Sequence, residues 1–83
     1  MKPRRCPSAV GIGPASRLID VETHTLRYWE EEFDGLIDPI RTAGGQRRYR
    51  PEDIQLLSRI KALLKDDMLT IPGARRKIME ERA

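Results

Sequence analysis

Residues Thr23–Asp53 read THTLRYWEEEFDGLIDPIRTAGGQRRYRPED, and the fold turns on how this stretch is divided. Leu26, Trp29 and Phe33 recur at i, i+3 and i+7, the period of one apolar stripe on a helix covering Glu22 to Phe33. His24, Arg27, Tyr28 and Glu31 fall on the opposite face. Gly35 can adopt the left-handed geometry that stops a helix, and Asp38, preceding a proline, is biased towards extended backbone. Ile40 and Arg41 on one side, and Arg47 to Tyr49 on the other, flank TAGGQ, a five-residue loop with paired glycines that fits a β-hairpin. Pro51 then opens a further helix, where Glu52 and Asp53 complement the positive end of its dipole.

Working outward, Pro14 suits the first turn of a short helix whose stripe is Ala15, Leu18 and Ile19. Asp20 tolerates left-handed or turn geometry and breaks that helix, leaving Val21 as a buried link. A helix-turn-helix results. On the other side, Ile54, Leu57, Ile60 and Leu64 repeat at helical spacing, with Leu56 and Leu63 widening the arc, so this helix is expected to organise the core. Thr70 is an expected N-cap for a fourth helix that includes Pro72 and carries no stop signal before the chain ends. Residues 1–11 hold no periodicity and read as a flexible arm. The expected architecture is therefore one domain over residues 12–83, mainly α with a small β-hairpin: a winged helix-turn-helix with about four helices.

The 83 residues (9.6 kDa) allow a single core. One cysteine, Cys6, and one histidine, His24, cannot form a disulfide or complete a protein-only zinc site. Neither metal nor cofactor is expected, and Cys6 reads as an unpaired thiol in the arm. No window approaches a membrane-spanning helix, and MKPRRCPSAVGIG lacks the apolar run of a signal peptide, so a cytoplasmic location is expected. The net charge of +3 hides a sharp division: Glu22 to Asp38 holds six acids and one base, whereas Pro39 to Arg50 holds four bases and no acid.

Arginines on a glycine-containing hairpin can reach phosphates with planar forks, and a helix-turn-helix beside them would present Thr23, His24, Arg27 and Tyr28 near the start of its second helix. Duplex DNA is the partner this pairing implies. Arg27 is expected to discriminate between sequences, Tyr28 to give a hydroxyl to phosphate, and Arg41 to hold all sequences alike. Trp29 and Phe33 belong to the core rather than to base stacking. Strand alternation puts Arg47 and Tyr49 on one side, Arg48 and Arg50 on the other, and one of Arg47 or Arg48 is expected to pair with Glu30 and brace the hairpin. The acids Glu30 to Glu32 should tilt away from the groove or pair with that hairpin. Glu31/Glu32 and Asp66/Asp67 read as solvated surface, and no nucleophile, base and oxyanion donors assemble, so an enzyme is not expected. The rival from another class is a protein-interaction module whose hairpin binds an acidic partner.

The stretch THTLRYWEEEFDGLIDPIRTAGGQRRYRPEDIQLLSRIKALL resembles the DNA-binding domain of the MerR family of bacterial transcription regulators. That family's pattern is a Thr-Leu-Arg-Tyr-aromatic-Glu helix, a Gly-Leu-x-x-Pro link, an arginine wing and an Arg-x-Tyr-x-x-x-Asp lead into the next helix. The match runs over about residues 12–79. The resemblance implies a winged helix-turn-helix whose second helix enters the major groove while the wing lies along the adjacent backbone. Thr25, Leu26, Arg27, Tyr28, Trp29 and Glu30 match the recognition-helix motif, and Arg41, Arg47 and Tyr49 match the wing. It further implies DNA contacts from Arg27, Tyr28 and the wing, a homodimer for a full-length protein, and an indirect partnership with RNA polymerase at distorted promoters. The chain departs from the pattern at Asp20 and Glu22, where the family commonly has a glycine and a serine or threonine cap, and at Gln46, where an aromatic is common. The long dimerising helix of the family does not follow within the sequence. The chain thus reads as a fragment, monomeric by itself, with a phage excisionase-like or architectural DNA-binding protein as the alternative.

Overall fold

The computed structural model describes residues 9–82. Four helices, α1 (Ile12–Ile19), α2 (Thr23–Glu32), α3 (Pro51–Lys61) and α4 (Ile71–Arg82), accompany a two-stranded antiparallel sheet of β1 (Ile40–Arg41) and β2 (Arg47–Arg48). The mainly helical architecture with a small hairpin is the winged helix-turn-helix expected from the sequence.

α1 carries Pro14 in its first turn and buries Ala15 and Ile19 against α2 and α3. Leu18, expected in the same stripe, is 67% exposed. It lies on the flank of a two-turn helix whose packed side is already filled. Asp20 ends α1 in the left-handed region (φ 62°, ψ 52°), its N–H donating to the Ser16 carbonyl. The Ser16 hydroxyl donates to Val21 O and so ties down the turn, where Val21 is half-buried. From α3, the Lys61 ammonium donates to Ile19 O at 2.9 Å and Asp20 O at 3.4 Å, satisfying carbonyls that α1 leaves without helical partners.

α2 buries Leu26 and Trp29, with Phe33 buried just past its end, as the spacing predicts. Gly35 at φ 86° turns the chain away. The carbonyls at this end are taken by α4: Arg75 Nη1 donates to Asp34 O at 2.9 Å and to Glu32 O at 3.4 Å, and Arg82 Nη2 to Leu36 O at 3.1 Å. Both helices of the helix-turn-helix therefore end on a cation supplied by a later helix.

The hairpin pairs Ile40 with Arg48 and Arg41 with Arg47, leaving Thr42–Gln46 as the expected five-residue loop. Gly45 holds φ 82° there. Tyr49 leaves this register and pairs with Val10, exchanging backbone hydrogen bonds of 2.9 and 2.7 Å. The arm expected to reach Gly11 is thus tied into the fold from Val10. Its remainder, including Cys6, lies outside the described residues.

At the start of α3, Asp53 accepts the Arg50 backbone N–H at 2.9 Å and the Arg50 guanidinium at 3.0 and 3.1 Å. The burial of α3 is centred on Leu57 and Ile60 and continues to Leu63, while Leu64, expected in the stripe, is half-buried. A π-helical turn over Ala62–Asp66 follows, then Met68 at φ 58°. Thr70 Oγ1 accepts the Gly73 N–H at 3.2 Å, the N-cap that the sequence predicts, and α4 buries Ala74 and Ile78.

Candidate nucleic-acid interface

With Leu26 and Trp29 buried, helical geometry sends the other side of α2 into solvent. Thr23, His24, Arg27, Tyr28 and Glu31 are all exposed there, Tyr28 by half.

The wing is held against this helix by one carboxylate. The Glu30 side chain, 11% exposed, meets Arg41 Nη2 at 3.2 Å through one oxygen. Through the other it meets Arg47 Nε at 2.7 Å and the donating Tyr49 hydroxyl at 3.1 Å. The Arg47 contact is an ion pair by distance, yet its buried Nε–H is not directed at the carboxylate and has no aligned hydrogen-bond acceptor. Glu30 nonetheless holds the Arg47 guanidinium above its ordinary pKa. Burial, reinforced by the negative charge of Glu30, pushes the Tyr49 phenol up to about 12.

Two expectations are settled by this geometry. Of Arg47 and Arg48, the brace on Glu30 is Arg47, joined by Arg41. Tyr49, expected among the DNA contacts, is instead 1% exposed with its hydroxyl spent on Glu30. Strand alternation turns it inward with Arg47, and its large ring is worth more in the core than at the surface.

The basic segment is also less free than its local composition suggests. Arg41 and Arg47 are answered by Glu30 from α2, and Arg50 by Asp53 from α3. Arg48 is exposed, and neither it nor Arg27 takes part in any side-chain hydrogen bond or ion pair among the described residues. These two arginines line one cleft. A cleft of about 530 Å³ is walled by Gly11, Ile12 and Pro14 at the start of α1, by Arg27, and by Gly45 to Arg48 of the wing, with no acid in its lining. The other flank of the wing faces the acidic end of α2, where Glu30, Glu31, Asp34 and Asp38 share a groove with Arg41 and Arg47. Glu30 thus pairs with the hairpin on one side, where the other acids gather, and the opposite side is left cationic.

Several partners in this arrangement have no signal in sequence spacing. The Val10–Tyr49 bridge and the caps from Lys61 and Arg75 join residues about forty positions apart. Asp53 was legible as a dipole-complementing acid, but not as the buried acceptor of three Arg50 donors. Among the described residues, no group of His, Cys, Asp and Glu could hold a metal ion, and no helix is long and apolar enough to cross a membrane.

A short helix, a left-handed turn and a second helix with an open polar face, flanked by a braced arginine hairpin, define the winged helix-turn-helix class. Within that class the chain belongs to the MerR HTH family of regulatory proteins, whose family model matches residues 11–81. It is 37% identical over 67 residues to HspR of Streptomyces coelicolor, covering 81% of this chain and 43% of that protein. It is 42% identical over 59 residues to the transcriptional regulator BrlR of Pseudomonas aeruginosa, covering 69% of this chain and 21% of the relative. The chain therefore spans less than half the length of either. Among solved structures it is similar to HiNmlR, a MerR family regulator lacking the sensor domain, in its crystal structure bound to promoter DNA. That match has a TM-score of 0.71 and 28% identity, and covers 82% of this chain and 50% of the other.

Proposed function

We propose that this chain is the DNA-binding unit of a transcription regulator, with α2 in the major groove of duplex DNA and the wing on the neighbouring backbone. The observation that carries the reading is that the open face of α2 and the uncompensated arginines Arg27 and Arg48 meet along one acid-free cleft. Thr23, His24 and Tyr28 are the residues proposed to meet the groove and Arg48 the backbone, while Arg41 and Arg47, paired with Glu30, hold the wing at its angle. The similarity to a MerR family regulator bound to promoter DNA supports the same partner.

A longer protein containing this unit would act as a homodimer on a pseudo-palindromic promoter site in the cytoplasm, and RNA polymerase would respond through the DNA. The present chain would bind as a monomer, and weakly. Its task is binding rather than catalysis, in keeping with relatives described as regulators.

The test is a duplex titration at several salt concentrations. Each neutralised phosphate should contribute about −0.9 to the log–log slope of affinity against salt. A flat response sinks the proposal. NMR shift mapping with the same duplex separates it from a protein-interaction module: perturbations at His24, Tyr28 and Arg48 are expected, and perturbations confined to α4 would favour the module.

A further inference from the structure

We infer that the cleft between α2, the start of α1 and the wing seats one phosphodiester of the DNA backbone, gripped jointly by Arg27 and Arg48. This rests on the duplex-binding reading above and assigns Arg27 a role different from the base discrimination that its place on the recognition helix suggests.

Position on the open face of a helix does not by itself decide between base and backbone. What decides it is the company the side chain keeps. Arg27 lines the cleft with Gly45, Gln46, Arg47 and Arg48 from the wing, rather than standing alone towards the groove. Its positive charge is felt at the Tyr49 phenol, which places it by the root of the wing.

The electrostatics point the same way. Of the three arginines in this cleft, Arg47 has a counter-charge in Glu30, whereas Arg27 and Arg48 have none among the described residues. Two like-charged guanidinium groups sharing a cleft without an acid repel each other, and a singly charged phosphodiester with two free oxygens relieves that repulsion. Gly45, with nothing within 4 Å of the position a Cβ would occupy, keeps the rim low enough for a sugar–phosphate chain to pass. The other two cavities flanking α2 contain carboxylates: behind the turn Asp20 and Glu22 stand among Arg17, Lys61 and Lys65, with the Lys61 ammonium already engaged by Ile19 O, and beside the wing Glu30, Glu31, Asp34 and Asp38 outnumber Arg41 and Arg47. Of the three, the cleft beside Arg27 alone offers its cations without a carboxylate in the lining.

One phosphate held by two cations has a signature that two separately held phosphates lack. A single arginine suffices to neutralise a shared phosphate and release its counterions. Against a short random-sequence duplex, Arg27→Ala and Arg48→Ala should therefore each weaken binding yet leave the salt slope near that of the parent chain. The double variant should lose about 0.9 of slope. Separate phosphates would give a loss of about 0.9 in each single variant and about twice that in the double, and a base-reading Arg27 would contribute no slope in any background. Either pattern overturns the inference while leaving a steep parent slope, and hence the duplex-binding reading, intact.

A flat parent slope is the distinct failure of that reading. Both side chains are exposed, so circular dichroism should show all three variants folded. Lysine at either position should retain the parent slope, because the role asked of it is charge. Replacing chloride with inorganic phosphate at equal ionic strength should not change the pattern. A phosphate-specific loss of binding, confined to proteins that keep both arginines, would mark the cleft as a free-phosphate site and also overturn the inference.

Discussion

Glu30→Gln is the perturbation that most directly probes how the wing is held. Glutamine preserves the shape of the side chain and can still accept the Tyr49 hydroxyl, so the change isolates the loss of one negative charge between Arg41 and Arg47. The Arg41 pair is half in water, with 53% of that side chain exposed, and such pairs contribute about 0 to 1 kcal/mol. The Arg47 pair is drier, with 28% and 11% of its two side chains exposed, so removing its carboxylate leaves a partly buried cation without a counter-charge. Fully buried pairs lose about 3 to 5 kcal/mol on such a change. The intermediate burial here puts the total for Glu30→Gln at about 2 kcal/mol. For a domain of this size that lowers the midpoint of thermal unfolding by about 8 to 16 °C. Trp29, the one tryptophan and 4% exposed, is the fluorescence reporter. The same comparison in 1 M NaCl, where the screening length is about 3 Å, should retain most of the difference, because water and ions reach Arg47 poorly. A shift below about 3 °C, or one abolished by salt, would show that the carboxylate is an ordinary surface charge and that the wing is held by Tyr49 alone.

Three further changes follow from local geometry. Asp20→Gly should be neutral or stabilise by up to about 1 kcal/mol in urea unfolding, since glycine relieves the left-handed strain at φ 62° but gives back part of that in chain entropy; a loss above about 1 kcal/mol would mean the carboxylate itself matters. Thr70→Ala should cost about 1 kcal/mol by leaving the Gly73 N–H uncapped, and an unchanged midpoint would count against the cap. Tyr49 also makes stability fall in alkali: the phenol ionises at about 10 when unfolded but at about 12 in the fold, so its contribution is whole below pH 10. Up to about 3 kcal/mol is lost as pH rises from 10 to 12. Tyr49→Phe should remove that part of the alkaline decline, and identical pH profiles for the two proteins would refute the shift.

How much of this was readable in advance depended on the range of the interaction. Leu26, Trp29 and Phe33 announce their burial by spacing, Gly35 and Thr70 mark helix ends by residue type, and TAGGQ marks the hairpin loop. All of these are local signals, and all appear where the sequence puts them. Leu18 misled because periodicity gives the direction of a side chain, not whether a neighbour exists to cover it. Tyr49 misled for a related reason: alternation placed it beside Arg47 correctly, but which side of a two-residue strand faces inward depends on where α2 lies. In the candidate site, a brace between Glu30 and one of Arg47 and Arg48 is legible in the sequence, but not which of the two makes it. That Arg41 shares the same carboxylate, and that Arg50 is answered by Asp53, depends on how the fold brings positions 30 and 53 to the segment.

That redistribution of charge bears on why an acidic end is tolerated on a helix proposed to enter a polyanion's groove. A hairpin with two residues per strand cannot hold its own orientation. Its angle to α2 must therefore be set from outside, by Tyr49 in the core and by Glu30 between Arg41 and Arg47. An acid at position 30 costs the helix little affinity for DNA, because two wing cations already neutralise it on the side away from the acid-free cleft. The same pairing leaves Arg48, alone among the wing arginines, without an internal partner among the described residues, lining one cleft with Arg27. Bracing and binding thus use different arginines of one short segment. A variant that disturbs the brace, such as Glu30→Gln, should therefore weaken DNA binding by loosening the wing, even though it removes a charge that repels phosphate. If Glu30→Gln instead tightened binding at every salt concentration, direct repulsion would outweigh positioning, and the division of labour described here would be wrong.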